Sequence, residues 1–164
     1  MSMWKMIVAA LCAALWLVAP VSAQNASEPK DIVEQIYKIS AGPNGKYEGN
    51  SAFFQDSVRK RWFSKSLLAA VVAADRKAKK SGDIGFDFDP VTNSQDPMVI
   101  GRKVSVEKSD AKGAVVLARF NSGGTNVNNI RYRFVREGEA WKLDDIAAGD
   151  WTIRGVVKEI MKGQ

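Results

Sequence analysis

The chain has 164 residues, with 24 Lys and Arg against 18 Asp and Glu, no histidine, and a single cysteine, Cys12. This composition excludes Ser-His-Asp and Cys-His nucleophilic systems, the usual histidine- and cysteine-ligated zinc sites, and any disulfide framework. A net charge of +6 points to anionic lipid head groups, envelope polymers or acidic partners rather than to nucleic acid.

In chain order, residues 1–6 carry one charge, Lys5, and are followed by the apolar run from Ile7 to Val18 and the small-residue stretch Pro20-Val21-Ser22-Ala23. This pattern predicts a secretory signal peptide over residues 1–23, cut near Ala23. The run is too short for a spanning helix, which needs about 20 apolar residues. Leu11 precedes Cys12 where lipid attachment wants a small residue, so the cysteine is expected to leave with the leader. A periplasmic or secreted location follows. Lys5 is the one charge removed, which leaves 23 basic against 18 acidic residues over residues 24–164. That stretch suits a single domain, which at this size buries roughly two-thirds of its unfolded surface. With no cysteine left, its core must hold it alone.

Ser27 or Asp31 is placed to cap a helix whose apolar face is Ile32, Val33, Ile36 and Tyr37, and Gly42-Pro43-Asn44-Gly45 stops it. The loop from Gly42 to Gly49 lacks the glycine spacing and the Ser or Thr of a phosphate-binding loop. Residues 50–54 predict a short helical turn. A longer helix starts at the N-cap Ser64, carries Leu67, Leu68, Val71, Val72 and Ala78 on one side with Asp75 at its boundary, collects Arg76, Lys77, Lys79 and Lys80 in its last turn, and stops at Gly82. Residues 83–97, with Asp83, Asp87, Asp89 and Asp96 among glycines and prolines, predict a structured connection.

Beyond it the period becomes two. Val99–Glu107, Ala114–Asn121, Asn129–Arg136 and Ala140–Ile146 predict four strands, and the short connections favour consecutive antiparallel pairing. Ile130, Tyr132 and Phe134 share one face and are the expected core, whereas the strand from Ala114 is partly apolar on both faces. Thr152–Met161 predicts a closing helix. The fold class expected is α+β, with N-terminal helices packed on a curved antiparallel sheet of four or more strands and a short C-terminal helix.

The stretch from Glu139 to Ile146 followed by Trp151-Thr152-Ile153-Arg154 resembles the last strand and closing segment of nuclear-transport-factor-two-like (cystatin-like) domains. Together with Phe63-Ser64, Leu67-Leu68, Asp87-Phe88-Asp89-Pro90 and Gln95-Asp96, the order is similar to a family of exported bacterial domains of unknown function, over about residues 32–157. The resemblance implies a cone-like fold with a pocket and, as in many relatives, pairing into a homodimer through the sheet. It implies no single activity, since the superfamily holds isomerases, dehydratases, ligand binders and association domains.

The leading expectation is a non-enzymatic binding module for a small ligand or a cell-envelope partner, with no cofactor. The alternative is a small lyase or isomerase using a pocket carboxylate. Asp145, read on the same strand face as Trp141 and Leu143, is the candidate base, against a role capping the following turn or pairing with an arginine. Arg59, Lys60 and Arg61 beside Trp62 and Phe63 combine charge with an aromatic anchor, and with Trp141 form the candidate ligand or partner site, including peripheral contact with an anionic surface. Asp87, Asp89 and Asn93 offer oxygen ligands but lack the glycine and glutamate of the calcium-binding loop, so turn chemistry is preferred and no metal site is assigned.

Overall fold

A computed structural model describes residues 27–41, 47, 51–95, 98–123 and 125–163. The expected leader, and the expected stop at Gly42-Pro43-Asn44-Gly45, lie outside the described residues. The first helix, α1 (Pro29–Ser40), begins neither on Ser27 nor on Asp31. Its N-cap is Glu28, which makes no side-chain cap, and Pro29 opens the helix with the backbone angle that the first position wants. Ile32, Val33, Ile36 and Tyr37 form its buried face as expected. A 3-10 turn, Ala52–Phe54, leads into α2 (Asp56–Trp62). The long helix α3 (Lys65–Ser81) starts where predicted, with the Ser64 hydroxyl accepting from the Leu67 amide at 2.9 Å. It ends at Gly82, whose φ of +76° is the left-handed cap conformation that glycine adopts without penalty.

Five antiparallel strands follow in sequence order: β1 (Ile100–Ser109), β2 (Gly113–Asn121), β3 (Val127–Glu137), β4 (Ala140–Ala148) and the two-residue β5 (Trp151–Thr152). The helix α4 (Ile153–Lys162) closes the chain, capped by the Thr152 hydroxyl, which accepts from the Gly155 amide. The fold is thus α+β, with a short C-terminal helix after the strands.

One face of the sheet carries Ala114, Val116, Ala118, Phe120, Ile130, Tyr132, Phe134, Trp141, Leu143, Ile146 and Ala148, and all are buried. The buried faces of α1, α2 and α3 join the same core. Between α2 and α3 the chain runs beside β4: Phe63 bridges Leu143, and the Ser64 amide donates to the Leu143 carbonyl at 2.8 Å. The opposite edge, β1, carries Lys103 and Lys108 and two register shifts, devices that discourage edge-to-edge pairing.

A bulge in β4 changes the predicted alternation. Phe134 pairs with Leu143 while Arg133 pairs with Asp145, so the strand has one extra residue at that point. The inward set passes from Trp141 and Leu143 to Ile146 and Ala148. Asp145 therefore leaves the face of Trp141 and comes opposite Arg133, correcting the face read from strict alternation.

Candidate functional site

The structure separates the residues singled out from sequence. Asp145 is buried, and one of its carboxylate oxygens accepts from the Ile146 amide at 3.0 Å and the Arg154 amide at 3.2 Å. Burial pushes its carboxyl up, against those two amides and the charges of Arg133 and Arg154. Its neighbour Asp144 accepts from the Ser64 hydroxyl at 2.5 Å and from the Arg154 guanidinium at 2.6 Å. The two carboxylates join the bulge to the starts of α3 and α4. Asp145 thus serves the first turn of α4, at a helix N-terminus that favours negative charge.

The basic-aromatic cluster at residues 59–63 is not the surface cluster that the sequence suggested. Arg59 is buried at 4 % exposure, lies 5.0 Å from the Phe53 ring centre, and donates from Nε to the Phe53 carbonyl at 2.6 Å. It pairs with Asp75 at 2.5 Å. Trp62 and Phe63 are core residues. Of the cluster only Lys60 and Arg61 remain exposed, with Arg61 lying over the Trp62 ring at 5.2 Å. The signal for this was present: on a helix, Val58, Arg59 and Trp62 fall on one side. Trp141 is also buried, its indole N–H has no partner among the described residues, and the Arg136 guanidinium covers its ring at 3.9 Å.

Sequence reasoning gave too little weight to Asp89. Its carboxylate, in a residue only 8 % exposed, accepts from Ser51 at 2.5 Å, from the Val91 amide at 2.9 Å, from Thr92 at 3.1 Å and from the Tyr47 hydroxyl. Burial pushes this carboxyl up to about 6, with the hydrogen bonds from Val91 and Thr92 opposing the rise. Next to it Tyr37 donates to the Val91 carbonyl at 2.8 Å and accepts from Tyr132 at 3.1 Å. Burial holds both phenols above their ordinary value. Every acceptor position of Asp89 is filled from within the chain, so this centre fixes the connection rather than offering a base to a substrate. Asn93, the third calcium candidate, adopts a φ of +55° and turns its side-chain oxygen to the Trp151 indole at 2.7 Å.

What the fixed connection presents is a groove. Between residues 83–88 and the outer side of α4 lies an open cavity of about 800 Å³, lined by Ile84, Phe88, Trp151, Val156 and Ile160 and by the acids Asp83, Asp87, Asp150 and Glu159. Phe88 and Trp151 meet edge-to-face with ring centres 4.8 Å apart. Ile84 is 83 % exposed at the rim. Glu159 is paired with Lys162 at 2.8 Å, whereas Asp83, Asp87 and Asp150 have no ion pair among the described residues. No basic residue is among the described residues that line the cavity, and the Lys77 ammonium flanks Gly163 at the cavity's edge. Of the candidate ligands weighed from sequence only Asp87, considered for calcium, lies in it; Asp145, Arg59, Arg61, Trp62, Phe63 and Trp141 do not.

Comparison with family models, with curated proteins and with solved structures finds no match to this chain.

Proposed function

We propose that the protein is a binding module whose site is the groove between residues 83–88 and α4, and that its ligand is a small organic cation with an apolar body. The observation that carries this reading is that three carboxylates with no ion pair among the described residues, Asp83, Asp87 and Asp150, line the same cavity as the Phe88-Trp151 pair in a chain of net positive charge. The cavity volume falls in the range of small-molecule sites, which are mostly apolar with a few placed polar groups. Aromatic faces attract a desolvated cation, and the carboxylates select its sign. A lyase or isomerase has less support, because the carboxylates of Asp145 and Asp89 are both committed to hydrogen bonds inside the fold.

Calorimetric titration of the chain from Gln24, which holds every described element, tests the proposal with a matched pair of probes. Decyltrimethylammonium is expected to bind at least about tenfold more tightly than decyl sulfate below their micelle concentrations, and Trp151→Ala to remove about tenfold of that affinity. Decyltrimethylammonium affinity that Trp151→Ala leaves unchanged would reject the reading.

A further inference from the structure

The outer face of the sheet, away from the helices, is basic where the groove is acidic. The register places Lys103 beside Arg119, Lys108 beside Val115 and Arg133, and Leu117 beside Arg131. All five cations are exposed, while the helices take the alternate, inward set of side chains. Arg131 is paired with Glu107 at 2.8 Å, and Lys108 approaches Asp110 at 3.8 Å. Lys103 and Arg119 have no acid within ion-pair distance among the described residues.

Those two cations line a shallow depression of about 360 Å³ at one tip of the sheet, together with Ile100 and Val127. Ile100 is 54 % exposed, and Met98 and Val127 are each 47 % exposed. Met98 reaches the same tip, since its sulfur lies against Gly123 in the loop between β2 and β3. Three large apolar side chains held out in water beside two unpaired cations suit an interface that is anionic at its surface and apolar just beneath. A soluble polyanion would use the cations and leave the apolar groups in water.

We propose that this tip docks on an anionic phospholipid bilayer, with Lys103 and Arg119 at the lipid phosphates and Ile100, Met98 and Val127 in the boundary with the acyl chains. Arg133, farther along the same face and without an ion pair among the described residues, adds attraction at longer range. Each basic residue near such a surface contributes about 1 kcal/mol, and the attraction is screened by salt.

Sedimentation with vesicles tests this on the chain from Gln24. Binding is expected to equimolar phosphatidylcholine and phosphatidylglycerol, to weaken as salt rises, and to be absent with phosphatidylcholine alone. The double variant Lys103→Gln, Arg119→Gln is expected to lose about 30-fold in partition. The double variant Ile100→Ser, Val127→Ser is expected to bind more weakly with an unchanged salt slope. Both pairs lie on the surface, and unaltered thermal unfolding checks that the fold is kept. Equal binding to both vesicle types, or partition that neither variant lowers, overturns the proposal. Loss in the charge variant with no loss in the apolar variant also overturns it, and marks a soluble polyanion as the partner.

Discussion

Replacing Asp89 with alanine is expected to cost about 3 kcal/mol of folding stability, more than any surface change in this chain. The substitution strands a buried amide, Val91, and leaves the Ser51, Thr92 and Tyr47 hydroxyls without their acceptor. Each unsatisfied buried group costs about 1–3 kcal/mol, and the hydroxyls recover part of that by turning to other partners. Asp89→Asn keeps the shape and one acceptor oxygen, and should cost less than half as much. The two variants also separate by pH. The carboxyl sits at about 6 in the folded protein against an ordinary 3.8, so between those values the folded state holds a proton that the unfolded chain releases. By linkage, the contribution of Asp89 to stability is fully present below about pH 4, falls as pH rises to about 6, and is flat beyond. The interval corresponds to a change of about 3 kcal/mol at most. Urea unfolding across that range should show the natural protein losing stability relative to Asp89→Asn as pH rises. The opposite slope would show that the four hydrogen bonds, rather than burial, set the protonation of this group.

The second large effect concerns the buried arginine. Arg59→Ala removes the donor to the Phe53 carbonyl, the partner of Asp75 and the contact with the Phe53 ring, and opens a cavity beside α3. A loss of about 3 kcal/mol is expected, at the low end for breaking a buried ion pair because Asp75 keeps access to water. Arg59→Met restores the volume and should recover about half of that loss. Asp75→Ala is the informative counterpart: it changes a half-exposed residue yet leaves a guanidinium buried without its counter-charge. It should cost about 2 kcal/mol, well above the roughly 0.5 kcal/mol typical of surface substitutions. Denaturant midpoints for the three variants check the order, and a negligible effect of Asp75→Ala would mean that water reaches Arg59.

Legibility in the sequence followed the reach of the determinants. Helix α3 was readable because its signals are local: Ser64 at one end, Gly82 at the other, and a period of 3.6 between them. The four long strands were readable for the same reason, and the short turns gave their order. The β4 bulge was not, since an extra residue is defined only against the partner strand, and it moved Asp145 off the face that alternation gave it. Arg59 was misplaced because residues 59–61 were read only as a solvated helix end, without the bounds of α2, so its turn onto the side of Val58 and Trp62 went unseen. Asp89 depends on distant partners: Tyr47 and Ser51 are about forty residues away, and nothing in Asp87-Phe88-Asp89-Pro90 names them. The groove joins residues 83–88 to residues 150–163, two segments that only the folded sheet brings together.

The Asp89 centre and the groove are one arrangement, because the connection it fixes carries Phe88 to Trp151. The most direct test is amide NMR of the chain from Gln24 titrated with decyltrimethylammonium. Shift changes are expected to be confined to residues 83–88 and 150–163, with the Trp151 indole resonance among the largest. Saturable changes centred outside those two segments, or no change at concentrations below micelle formation, would contradict the binding proposal.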